Sequence, residues 1–228
     1  HSMSFISAGK VLLFDGSTTN RDDETWLFDA VENSWVQRNP VTRPSARQNS
    51  AMAYLSDDQV LLFGGDDGTF NGETWVYDLG DNSWTLKSPV TSPAGRYYHS
   101  MASLGAGKVL LFGGLTPSQS DETWVYDLTS DTWTLMNPAT KPSARFFHSM
   151  TSVGSGHALL FGGFAGESGT NDTWVYNLAD NSWTLKNTTS GPTPRYYHQM
   201  ASINDDQVLM FGGYDGSFSN ETWVYDLS

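Results

Sequence analysis

The sequence predicts an all-β fold, a five-bladed propeller of four-stranded antiparallel blades whose last blade lacks its outer strand. Three observations carry this. A hydrophobic run closing on a Gly pair recurs five times, a Trp-centred run recurs in step with it, and the intervening segments are short, polar and rich in Gly, Asp, Asn and Pro.

The first marker reads LLFDG at Phe14, then LLFGG, LLFGG, LLFGG and LMFGG at Phe63, Phe112, Phe161 and Phe211, at intervals of 49, 49, 49 and 50 residues. The second, (E/D)TWxYD or a close variant, centres on Trp26, Trp75, Trp124, Trp174 and Trp223. A further Trp follows nine residues later in four copies, at Trp35, Trp84, Trp133 and Trp183.

The third copy gives the order of elements. His99 to Leu104 reads as a strand, and Gly105-Ala106-Gly107 turns the chain. Lys108 to Phe112 is the next strand, stopped by Gly113-Gly114, and a polar loop from Leu115 to Asp121 leads into a third strand, Thr123 to Asp127. Thr129-Ser130-Asp131 turns again into Trp133-Thr134-Leu135. Short β-branched and aromatic runs punctuated by turn residues are the pattern of an antiparallel meander. Val109 to Phe112 is apolar without alternation, so both faces of the sheet need cover, as when blades stack around an axis. No helical period persists.

Residues 1–228 read as one domain with blades at approximately 1–40, 47–89, 96–138, 145–187 and 195–228. His1-Ser2-Met3 aligns with His99-Ser100-Met101, and the fifth copy stops after its third strand. Closure of the ring is then expected to rest on apolar packing between blades 1 and 5, the alternative being that these repeats are part of a larger ring. The last strand, Thr222 to Asp226, would lack an outer neighbour, which offers an edge for self-association.

The Gly pair after a hydrophobic strand, the Tyr-Asp after the first Trp, the spaced second Trp and the Arg-x-x-His openings at Arg96–His99, Arg145–His148 and Arg195–His198 together resemble the kelch family. The resemblance spans essentially the whole chain. It implies a propeller whose first strand in each repeat lines a central channel and whose Trp-bearing fourth strand lies outside. It also implies a ligand site on the loop face.

Composition narrows the function. The chain has 25 acidic against 12 basic residues, a formal net charge of -13, so nucleic acid and anionic membrane surfaces are repelled. It has no cysteine, which excludes disulfides, thiolate catalysis and Cys-ligated zinc. No apolar run approaches the ~20 residues that span a bilayer, so membrane insertion is not expected.

The recurrent residues have structural readings. His1, His99, His148 and His198, with Ser50 in the second copy, are expected to bond between blades rather than to hold a metal, because ligands spread round an axis sit too far from a single ion. The Trp rings fill the wedge between sheets. Asp29, Asp78, Asp127 and Asp226, with Asn177 once, accept bonds from turn amides, and Glu24, Glu73, Glu122, Asp172 and Glu221 mark the start of the third strand. No copy breaks the symmetry to place a catalytic carboxylate pair or a nucleophilic triad, so no catalytic residue and no cofactor are expected.

What varies is the loop between the second and third strands: GSTTNRDD, DDGTFNG, LTPSQSD, FAGESGTN and YDGSFSN. Variable loops on a rigid scaffold are how binding modules are made. The same face collects Arg47, Arg96, Arg145 and Arg195 with Tyr97, Tyr98, Phe146, Phe147, Tyr196 and Tyr197, and the second copy puts Gln48 and Asn49 where the others have rings. The expected ligand site is Arg47, Arg96, Arg145, Arg195, Tyr97, Phe146, Tyr196 and Gln48. The expected function is a non-enzymatic binding or scaffold module with a protein or peptide partner. A self-assembling propeller and a lectin-like glycan binder are the alternatives.

Overall fold

The computed structural model describes residues 1–17, 20–187 and 190–227, and among these it contains strands and turns but no helix. Residues 18 and 19, at the tip of the first variable loop, residues 188 and 189, and residue 228 lie outside the described residues.

Among the described residues five blade sheets follow one another along the chain, and a small three-stranded sheet of Arg145–Phe146, Phe164–Ala165 and Ser168–Gly169 joins the lead-in and loop of blade 4. Blade 1 comprises Ser2–Ser7, Lys10–Ser17, Arg21–Asp29 and Ser34–Arg38. Blade 2 is Ala51–Ser56, Gln59–Phe63, Thr74–Asp78 and Ser83–Lys87, and blade 3 is Ser100–Gly105, Lys108–Phe112, Thr123–Asp127 and Thr132–Met136. Blade 4 is Ser149–Ser152, His157–Phe161, Thr173–Asn177 and Ser182–Lys186. Blade 5 has three strands, Gln199–Ser202, Gln207–Phe211 and Thr222–Asp226. Each is an antiparallel meander, and the first strands of successive blades lie side by side around a shared cavity of about 620 Å³.

Register explains the packing. In blade 3, Leu111 pairs with both Met101 and Trp124 and so shares their face, while Leu110 and Phe112 point the other way. The first set packs on blade 2 against Leu61, Phe63 and Val76, and the second packs on blade 4 against Leu160, Trp174 and Trp183. In blades 2 to 4 the second strand is buried on both faces after its first residue, which is why those residues are apolar without alternation.

The outer Trp links neighbouring blades. The indole N–H groups of Trp84, Trp133 and Trp183 donate to the hydroxyls of Thr25, Thr74 and Thr123 in the preceding blade, at 3.0, 3.0 and 3.1 Å. Each indole also packs obliquely on that blade's Phe14, Phe63 or Phe112. The turn carboxylates behave as local acceptors: Asp29 takes the amides of Val31 and Glu32, Asp78 those of Gly80 and Asp81, Asp127 that of Thr129, and Asn177 that of Ala179.

One junction departs from the repeat for a steric reason. A Cβ on Gly64, Gly113 or Gly162 would stand 3.0, 2.9 or 3.0 Å from the imidazole of His99, His148 or His198, and each glycine has a positive φ. In the first copy the glycine is replaced by Asp15 and the histidine opposite it by Ser50, whose hydroxyl donates to the Asp15 carboxylate. The smaller partner makes room for the larger one, which accounts for the missing histidine in the second copy.

The expected closure between blades 1 and 5 is corrected. On the side of blade 5 away from blade 4, Phe211 and Val224 are 55% and 56% exposed, whereas their counterparts Phe112 and Val125 are buried. On the side of blade 1 away from blade 2, Trp35 is 45% exposed. The two faces do not cover each other, and the ring stays open there.

Candidate functional site

The loop face begins with the segment leading into each blade. This segment pairs with the variable loop of its own blade, through Gln48 with Asp66, Tyr97 with Leu115, Phe146 with Phe164, and Tyr196 with Tyr214. The lead-in and the loop therefore form one ribbon, as the expected site requires.

Beneath the ribbon sits an arginine clamp repeated four times. Arg47, Arg96, Arg145 and Arg195 are 0–1% exposed. Each donates to the carbonyl of the first Gly of its blade's pair, Gly64, Gly113, Gly162 or Gly212, at 2.9–3.1 Å. Each also pairs with the carboxylate that opens the third strand, Glu73, Glu122, Asp172 or Glu221, at 2.5–2.8 Å. The same carboxylates accept the indole N–H of Trp75, Trp124, Trp174 and Trp223. Partial burial alone would raise Glu73, Glu122 and Asp172, but the arginine and indole hydrogen bonds outweigh it and hold these carboxyls below their ordinary range. The four guanidiniums, with no exposed surface and their donors engaged, lie beneath the face, where they fix lead-in, loop and third strand together.

Two residues past each arginine the backbone turns left-handed, at Asn49, Tyr98, Phe147 and Tyr197, with φ of 60°, 60°, 58° and 62°. Asn takes that conformation at low cost, but a bulky ring there costs roughly 1–2 kcal/mol. A backbone collar holds it: Tyr98 N–H donates to Asn49 C=O, Phe147 N–H to Tyr98 C=O, and Tyr197 N–H to Phe147 C=O, at 3.3, 3.1 and 3.1 Å. The strain is therefore fixed by contacts between blades, which is how strained residues persist in folded proteins.

The collar and the ribbons bring the rings into a continuous arc. Phe70 stacks on Tyr97 at 4.8 Å and 7°, and Tyr97 meets Tyr98 edge-on at 4.7 Å. Tyr98, Phe147 and Tyr197 follow at 4.0 and 3.9 Å. Phe146 meets Phe164, Phe164 meets Tyr196, and Tyr196 meets Tyr214, all at 5.3–5.4 Å, with Phe218 at the far end 5.4 Å from Tyr214. The lead-in of blade 2 supplies a polar sector instead, where Gln48, together with Arg21 of blade 1, donates to Asp66.

Beneath the collar the buried imidazoles of His99, His148 and His198 meet Phe63, Phe112 and Phe161 edge-on. Burial, aided by the nearby guanidinium, pushes His99 down to about 3 and His198 down to about 4, and it holds His148 well below the ordinary imidazole value. Among the described residues no three His, Asp or Glu side chains converge as metal ligands. These histidines set a pH dependence. Between pH 6.5 and 5 the unfolded chain binds protons that the folded chain refuses, so stability falls as pH falls through this window. The melting temperature is expected to drop between pH 7 and pH 5, and to drop less in His99→Gln. An equal drop in both proteins would place the proton uptake elsewhere.

Five copies of this architecture find their match in a family model. The model described as the KLHDC2/KLHL20/DRC7 Kelch-repeats domain matches residues 1–114 and 85–228. The chain belongs to the kelch-repeat family. Kelch-repeat domains generally mediate protein–protein contact as non-enzymatic scaffolds. A search of curated proteins gave no match.

On this kelch domain Tyr97, Phe146, Tyr196 and Gln48 lie on the loop face, with the four arginines below them. Residue-by-residue reading missed Phe70, Phe164, Tyr214 and Phe218, which extend the arc. Their signal was an aromatic within three of the five variable loops, at places where a polar loop needs none.

Proposed function

We propose that this kelch domain is a non-enzymatic binding module that takes a segment of a partner protein along its aromatic arc. The contact of ring with ring across the loop faces of blades 3 to 5, on a backbone strained to hold it, carries this reading. Tyr and Phe supply large contact area at low side-chain entropy, which is what a protein-binding patch uses. With the arginines neutralised below, Asp67 bonded on either side of Phe70 to Thr69 and Asn71, and a net charge of -13 over the chain, the favoured partner segment is apolar to basic. Glycans remain the second ligand class that such rings suit.

The test is selection of peptides from a displayed random library, followed by affinity measurement against Tyr97→Ser/Tyr196→Ser. Loss of two central rings is expected to weaken selected peptides by about 30-fold, with melting little changed. Peptides that bind wild type and variant alike would sink the reading.

A further inference from the structure

One position at the rim differs between blades. In blade 1, Arg43 of the linker that leaves the blade pairs with Asp23 at 2.7 Å, and in blade 3 Lys141 pairs with Asp121 at 3.0 Å. Blade 2 has Ser92 and Gly72 at these two places. There the structure contains a cavity of about 430 Å³ whose lining includes both of them with Thr69, Glu73, Lys87 and Ser88. Blade 4 also lacks the ion pair, with Gly191 and Asn171, and its linker lies partly outside the described residues.

A second change accompanies the first. Where the other lead-ins have Ala46, Ala144 and Pro194, this one has Gly95, and a Cβ added there would stand 2.0 Å from the Phe70 carbonyl oxygen. The glycine lets lead-in and loop meet backbone to backbone, and this fixes the loop wall of the cavity.

The lining mixes free donors with a carboxylate. Glu73 accepts from Arg47 and from the Trp75 indole, yet 39% of its side chain is exposed. Among the described residues Lys87 Nζ, Ser88 Oγ and Ser92 Oγ make no hydrogen bond or ion pair. Leu86 and Phe70, 47% and 39% exposed, supply an apolar part. An apolar ligand would leave the polar groups unpaired, whereas a polyol both donates and accepts at each hydroxyl. The volume lies within the roughly 300–1,000 Å³ of small-molecule sites.

We propose that the rim pocket of blade 2 binds a neutral saccharide residue, whose hydroxyls donate to Glu73 and accept from Lys87, Ser88 and Ser92. The net charge of -13 disfavours anionic sugars. The pocket touches the aromatic arc only at Phe70 and is a separate site.

The probe is an array of immobilised neutral oligosaccharides ending in glucose, galactose, mannose or N-acetylglucosamine, with sialylated chains beside them. The methyl glycoside of the sugar that binds is then titrated into the full chain and followed by amide NMR. Binding of a neutral set is expected, with shifts confined to residues 69–74 and 86–92. Gly72→Asp/Ser92→Lys rebuilds the ion pair of blade 3 inside the pocket, and Ser92→Lys alone fills it without a Cβ beside Gly95. Each is expected to weaken binding more than about tenfold with melting near wild type, and Ser92→Lys decides if the double variant folds poorly. Lys87→Ala is expected to weaken binding severalfold. Tyr196→Ser, in the arc, is expected to leave the saccharide unaffected, and Ser92→Lys to leave library-selected peptides unaffected, so the two sites stand or fall separately. Absence of neutral glycans from the bound set, preference for sialylated chains, full binding by Ser92→Lys, or loss in Tyr196→Ser would each overturn the proposal.

Discussion

Arg145→Ala is expected to destabilise the domain by about 3–5 kcal/mol, the range for breaking a buried charge pair. Arg145 is 1% exposed and donates to Ser143 C=O, Gly162 C=O and both carboxylate oxygens of Asp172, so its removal frees lead-in, Gly pair and third strand at once. Asp172→Ala is expected to cost at least as much, because it strands a buried cation, whereas the carboxylate left by the arginine change is partly exposed and can rehydrate. Arg145→Lys is expected to recover little, since a single ammonium cannot reproduce the two-pronged contact. Urea midpoints measure all three. If Arg145→Ala melted within a degree or so of wild type, the guanidinium would be no strut, and a direct part in binding would have to be restored to it.

Most of the fold was legible because each repeated residue has one physical task in every copy. Trp124 fills a wedge, Gly113 takes a positive φ against His148, and Asp127 accepts a turn amide, so a single period exposes them all. The site was legible only in outline. In the lead-in an Arg is followed directly by two rings, and sequence cannot say which of these neighbours points inward. Arg96 turns under to reach Glu122, and that leaves Tyr97 to stack on Phe70. The left-handed turn at Tyr98 was hidden for a related reason, since only Asn49, in the one copy without rings, is a residue that advertises it. The open ring was legible only as an alternative to closure. Whether blade 1 reaches blade 5 depends on the angle accumulated over four junctions, and no local motif encodes that sum.

Trp133→Ala is expected to cost about 3–5 kcal/mol, the range for deleting a large buried side chain. The ring is 2% exposed, packs between Phe63 and Tyr126, and donates across the junction to Thr74. Alanine would therefore leave a cavity between two blades and remove the donor that joins them. Trp35→Ala supplies the control from within the molecule. It stands at the same place in the repeat, but at the open end, 45% exposed, and among the described residues no neighbouring blade packs on its indole. Its removal is expected to cost well under half as much. The same contrast separates Trp124, buried against blade 2 and expected to behave like Trp133, from Trp223, which is 36% exposed. Thermal and urea melting of the four alanine variants decides the matter. Equal losses at Trp133 and Trp35 would mean that solution conditions bring blades 1 and 5 together, and small losses at both would mean that these rings are surface platforms, so that glycan binding would gain ground over the protein-binding reading.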